Sequence, residues 1–228
     1  MIAGNIEGKV ASSLLVEPLR NFLLAFLVLL LAFGVAVRLA RRLYHFPIPS
    51  LLVGLIDNPF RRRIQSPKKI AGRFDVRYGM NVVEVGPGAG IFTIEVARRV
   101  APSGIVCAID ISLKAVKKLR AKTERERVMN VAAVVASAHD LPIVSGSVDR
   151  VFMVTVLGEI PEPRKALAEF RRTLRMNGVL SISEFVLDPD YPLRRTVVRW
   201  CHSVGFTEIS RFGTLLEYTV NFRPTKQP

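Results

Sequence analysis

From residue 78 onward, short β-branched runs alternate with segments of helical period, and this alternation restricts the fold more than any other feature of the chain. Strands are predicted at 82–85, 105–109, 131–135, 148–154 and 179–185, with helices over 92–100, 113–122 and 165–174. Strands joined by helical crossovers run parallel, and a parallel sheet is covered by helices on both faces. Residues 151–157, VFMVTVL, are accordingly almost continuous in apolar side chains. The tail changes pattern. A helix over 193–203 leads through Gly205 and Phe206 into strands at 207–212 and 215–222, split by Gly213, which read as an antiparallel hairpin.

The N-terminal region obeys a different rule. Half of the residues are apolar and 23% are charged, which excludes a disordered chain, and two cysteines exclude a disulfide scaffold. Mean hydropathy of +0.30 is high for a domain with this many charges. Its source is the run Phe22 to Val37, FLLAFLVLLLAFGVAV, without a charge. With its flanks it approaches the ~20 residues of a spanning helix, so residues 1–43 are expected to be a transmembrane or membrane-embedded anchor. Lys9 and Arg20 are balanced by Glu7 and Glu17, unlike a signal peptide, and Arg38, Arg41 and Arg42 come at once after the run as a stop-transfer pattern. The positive-inside rule places the C-terminal side of the anchor in the cytoplasm.

Residues 38–77 hold ten Arg or Lys against Asp57 and Asp75, so more than half of the net +14 sits beside the apolar run. Between the basic clusters, 46–56 (FPIPSLLVGLI) is apolar but interrupted by two prolines and a glycine. Residues 44–77 are therefore expected to be a basic interfacial segment, each cation near an anionic leaflet contributing about 1 kcal/mol. The expected partner is the lipid bilayer. Nucleic acid is not expected, because no stacking aromatics interleave the charges.

The chemistry concentrates at the first strand-to-helix turn, VVEVGPGAG at 82–90. Gly86, Gly88 and Gly90 permit a tight turn and a close ligand approach, the helix after them favours anions, and Asp110 ends the second strand where ribose hydroxyls are held in nucleotide-binding sheets. The spacing G-x-G-x-G departs from the dinucleotide pattern G-x-G-x-x-G, and Glu84, two residues before the first glycine, suits a ligand with positive charge. With VCAIDIS at 106–112, SAHDLPIVSGSVDRVFMV at 137–154 and ALAEFRRTLRMNGVLSISE at 166–184, the chain resembles class I S-adenosylmethionine-dependent methyltransferases, in particular the quinone, sterol and phospholipid branch, over residues 64 to 223. That resemblance implies an α/β fold, a Rossmann-like seven-stranded, mostly parallel sheet with helices on both faces and an antiparallel C-terminal hairpin, over residues 78–228.

It also implies S-adenosyl-L-methionine as cofactor. Glu84, Gly86, Pro87, Gly88 and Gly90 would hold its amino-acid end, Asp110 its ribose hydroxyls, and Ile111 its adenine face. Ser137, Ala138 and His139 would line the adenine edge, with Ser137 standing where many relatives have Asp. In-line methyl transfer relies on positioning and exclusion of water, so no general base is obligatory. Glu159 and Glu184, at the ends of the fourth and fifth strands, are the candidates for contact with the acceptor. His45, His139 and His202 show no metal-ligand spacing, so no metal site is expected. Together with the anchor and basic belt, these features predict a membrane-anchored methyltransferase acting on a lipid-borne acceptor, a phospholipid amine headgroup before an isoprenoid quinone. The alternatives are a tethered enzyme with a soluble substrate, a nucleic-acid methyltransferase and a non-catalytic cofactor-binding protein.

Overall fold

The computed structural model describes residues 65–186, 188 and 190–225, together with residues 17, 18, 20–26, 28, 29, 32 and 36. The chain divides into two compact units, Met1–Pro47 and Ile48–Pro228. In the first, the described residues are helical and exposed. Among the described residues, no helix is long and apolar enough to cross a membrane. Much of the expected anchor, and all of the apolar segment 46–56, lie outside the described residues.

In the second unit, the order of elements is α1 (Pro67–Arg73), β1 (Asn81–Val85), α2 (Ile91–Val100), β2 (Ile105–Asp110), α3 (Leu113–Arg125), β3 (Val131–Val135), β4 (Val148–Val154), a 3₁₀ turn (Leu157–Glu159), α4 (Pro163–Thr173), β5 (Leu174–Phe185), α5 (Arg194–Ser203), β6 (Phe206–Gly213) and β7 (Glu217–Pro224). The seven strands form one sheet in the order β3-β2-β1-β4-β5-β7-β6. The first five strands are parallel, whereas β7 is antiparallel to both β5 and β6. This is the Rossmann-like seven-stranded sheet that the resemblance implies, and its parallel strands and C-terminal hairpin are those that the sequence pattern predicts. The chain reverses its direction of travel across the sheet between β1 and β4, and ligands of such sheets bind outside the carboxyl ends of the strands at that point.

Period-2 alternation sends successive residues of each strand to opposite faces. On one face Val83, Val151, Met153, Leu180 and Ile182 pack with Phe170 and Val197 of α4 and α5. Val82, Phe152 and Val154 pack on the other with Ile70, Phe74, Ile94 and Val96. Phe74 stacks on Phe152 at 4.7 Å between ring centroids, so residues assigned to the basic segment on sequence grounds are part of this core. Fully burying an aromatic of this kind contributes about 1.5–3 kcal/mol. Helix α3 starts at a capped end, where Ser112 Oγ accepts from the Ala115 N–H at 3.3 Å.

Several boundaries differ from the expected ones, and for two of them a distant contact gives the reason. Strand β5 begins at Leu174, within the predicted helix, because Leu174 pairs with Val148 and a register shift before Arg150↔Val179 absorbs the intervening residues. Strand β7 begins at Glu217 rather than 215. Gly213, at φ 131°, ends β6, and Thr214 N–H donates to Glu217 O at 2.8 Å, so Leu215 and Leu216 form the turn itself.

Candidate functional site

At the switch point lies a cavity of about 490 Å³, lined by the ends of β1, β2 and β4 and the segments that come after them. Strand β1 delivers Glu84 into its wall, and the 86–90 loop turns the chain into α2. Gly86 adopts φ 69°, and a Cβ there would lie 2.6 Å from Val156 Cγ2, so both conformation and space require glycine. Its N–H donates to Ile109 O at 2.8 Å, tying the loop to β2. Pro87 and Gly88 line the cavity, while Gly90 stands behind the lining as the cap of α2.

Glu84 is the dominant electrostatic feature. Its side chain is buried, and among the described residues Oε2 has no hydrogen-bond partner. Burial pushes its carboxyl up to about 8; the charge of Asp110 adds to the rise, while the Thr93 hydroxyl and the Lys122 ammonium oppose it. A buried acceptor without a partner is costly unless a ligand satisfies it. A cationic group entering this cavity would find an acceptor aimed at it, which is the chemistry that an ammonium group supplies.

Asp110 is fixed by its own turn: Ser112 N–H donates to Oδ1 at 2.8 Å. Ser112, not Asp110, caps α3, and Asp110 lines the cavity beside Ile111. Ile111 is 79% exposed, an apolar side chain at the rim placed to cover the face of a flat ligand. Ser137, Ala138 and His139 complete that wall. The Ser137 oxygen already accepts from the His139 N–H at 3.2 Å, and His139 Nε2 is 2.6 Å from Pro161 O. A carbonyl only accepts, so Nε2 carries the proton and the ring ties the adenine wall to the segment after the 3₁₀ turn.

The two acidic candidates part company. Glu159 lines the cavity, but Glu184 is buried in β5 opposite Tyr218 and does not. Glu159 joins Asp188 and Asp190, their carboxylate oxygens within 4.8 Å of one another. Sequence reasoning missed this cluster because the partners are about thirty residues apart and His/Cys spacing carries no trace of it. Gly158 was the available signal: a Cβ there would collide with the Asp190 carbonyl, so only glycine lets the loop after β5 close on the 3₁₀ turn. Asp188 Oδ1 accepts from the Asp190 N–H at 2.9 Å. Three carboxyl groups thus gather beside the cavity, with Glu159 and Asp188 in its lining.

Residues 83–182 match the family model described as a methyltransferase domain. An uncharacterised 37.1 kDa transposon protein of Streptomyces fradiae is 32% identical over 159 residues, 68% of this chain and 46% of that protein. The ubiquinone/menaquinone biosynthesis C-methyltransferase UbiE of Bordetella avium is 34% identical over 115 residues, 50% of this chain and 44% of that protein. The chain thus spans less than half the length of these curated relatives. Among solved structures, a SAM-dependent methyltransferase from Aquifex aeolicus superposes with a TM-score of 0.72 at 22% identity, covering 78% of this chain and all of that one, a likeness of fold. The orphaned Glu84 oxygen and the apolar rim at Ile111 fit S-adenosylmethionine, the cofactor that the resemblance implies for a methyltransferase domain.

Proposed function

We propose that this chain, which carries a class I S-adenosylmethionine-dependent methyltransferase domain, is held at a membrane by its N-terminal segment and methylates a lipid-borne acceptor. S-adenosylmethionine, when bound, supplies a methyl group on a positively charged sulfur. Glu84 would hold the ammonium of its amino-acid end, Asp110 its ribose hydroxyls and Ile111 its adenine. The protein's remaining task is to place the acceptor in line and exclude water. Glu159 is the candidate to orient the acceptor or to take up its proton.

The observation that supports a lipid setting is the N-terminal apolar run. Its described helical residues Phe22, Leu23, Leu24, Phe26, Val28 and Leu29 are exposed rather than packed, and a basic belt comes after them in sequence. Exposed apolar surface of this kind is covered by a membrane or a partner. The belt's charge favours an anionic leaflet, with the domain on the cytoplasmic side by the positive-inside rule. The carboxylates of Glu159, Asp188 and Asp190 favour an amine headgroup as acceptor. An isoprenoid quinone is the second reading, favoured by the named activity of the Bordetella relative. Removal of residues 1–40 tests the proposal: cofactor affinity should persist while turnover of membrane lipid falls steeply. Unaltered lipid turnover would overturn it.

A further inference from the structure

The turn joining β6 to β7 has a composition unlike that of an ordinary hairpin loop. Such loops favour Gly, Asn, Asp and Ser, yet this one presents Leu215, 96% exposed, and Leu216, 42% exposed, with Phe212 44% exposed at the end of β6. Its backbone is well held. Thr214 N–H donates to Glu217 O at 2.8 Å, and Leu216 N–H donates to Thr214 Oγ1 at 3.2 Å. The leucines are therefore displayed by a formed turn, not by a frayed end.

Topology sets where the turn points. Strand β7 is antiparallel to β5, with Phe185 opposite Glu217, so the turn leaves the sheet at the carboxyl edge of the parallel strands. The cofactor cavity opens at that same edge. Leu216 O also accepts from the Val186 N–H at 2.8 Å, tying the turn to the loop that carries Asp188 of the cavity wall.

Behind the turn three basic side chains, Lys69, Arg73 and Arg211, stand against two carboxylates, Glu208 and Glu217. The Arg73 guanidinium lies 6.0 Å from the Phe212 ring centroid. Lys69, on the same short helix, keeps its side chain 54% exposed with Nζ 3.9 Å from Glu217. Glu217 itself is buried and accepts from Arg73 Nη2 at 2.9 Å. Residues 209–216, ISRFGTLL, contain Arg211 and no acidic residue, and Arg211 pairs with Glu208 at 2.8 Å. The surface thus presents an apolar tip with basic residues behind it.

We infer that the β6–β7 turn is a membrane-insertion point whose partner is an anionic lipid surface. Leu215 and Leu216 enter the boundary between headgroups and acyl chains, Phe212 sits behind them at the headgroup level, and Lys69 meets the lipid phosphates. Apolar depth beneath a layer of negative charge is complementary to this arrangement, whereas an aqueous protein partner would be expected to offer carboxylates without that depth. The insertion sets the cavity mouth at the lipid surface by a contact separate from the N-terminal segment. It holds whether the methyl acceptor is lipid-borne or soluble.

The test uses the full chain with vesicles of phosphatidylcholine and phosphatidylglycerol. The protein has one tryptophan, Trp200, so the emission added by Leu215→Trp is obtained by difference from the parent. Met129→Trp is the control, since Met129 is exposed just before β3, at the opposite edge of the sheet. The Leu215→Trp emission should be quenched severalfold more by lipid brominated on its acyl chains than that of Met129→Trp, and should be protected from aqueous acrylamide. Replacing phosphatidylglycerol by phosphatidylcholine should weaken the bromine quenching. Acrylamide access without bromine quenching would overturn the inference, as would shielding from both quenchers, the signature of a protein partner or a second copy. Unchanged thermal melting of both variants ensures that a folded protein is read. Methyl transfer is not measured, so failure here is distinguishable from failure of the lipid-acceptor proposal.

Discussion

Replacing Glu84 by Gln should stabilise the protein without cofactor, by an amount that depends on pH. Burial lifts the carboxyl from 4.5 to about 8 in the folded chain, so between those values the folded chain retains a proton that the unfolded chain has released. A raised acid contributes stability that is complete below the unfolded value and is lost as pH rises through the folded one. The loss is about 1.4 kcal/mol per pH unit, and over this window it reaches on the order of 5 kcal/mol. Glu84→Gln keeps the shape and never ionises, so the two proteins should be equally stable near pH 4.5 and diverge in favour of the variant up to pH 8.5. Urea denaturation at fixed pH measures this, with an unchanged slope showing that only stability has moved. Parallel pH profiles for parent and variant would refute the reasoning. Cofactor should roughly halve that gap at high pH. At a hundredfold excess over Kd, ligand adds about 2.7 kcal/mol to the parent, and the variant, lacking the charge that meets the ammonium, should gain far less.

Asp110→Ala should weaken cofactor binding on the order of a hundredfold, the loss of two hydrogen bonds to a charged acceptor, as read by calorimetry. Gly86→Ala places a Cβ 2.6 Å from Val156 Cγ2 at a φ of 69°; a cost of about 1–3 kcal/mol should lower the melting temperature and cofactor affinity together. Arg73→Ala should destabilise the domain by about 3–5 kcal/mol in chemical denaturation, because it strips the buried Glu217 carboxylate of its main partner. Arg73→Ala together with Glu217→Gln should recover much of that loss.

The sheet was legible because its signals are local. β-branched runs at 131–135 and 148–154 become strands with those bounds, and the 82–90 motif falls at the strand-to-helix turn. Where the expectation slipped, a distant partner decided the outcome. Leu174 is helical by its neighbours yet pairs with Val148, and Leu215 reads as strand yet sits in a turn fixed by Thr214 and Glu217. The site divides in the same way. Glu84 and Asp110 are placed by their own strands and so are readable from spacing. The gathering of Glu159 with Asp188 and Asp190, and the engagement of Ser137 by His139, depend on how loops from different strands close over one edge. Glu184 shows the converse: the end of a strand in sequence is not the wall of the cavity in space.

The central claim, methyl transfer to a lipid-borne acceptor, is met most directly by incubating the full chain with methyl-labelled S-adenosylmethionine and membranes from its source, then dividing the label among organic extract, protein, nucleic acid and water. Label should enter the organic extract with the parent and not with Asp110→Ala. Label confined to any other fraction, or absent from all of them, would contradict the account.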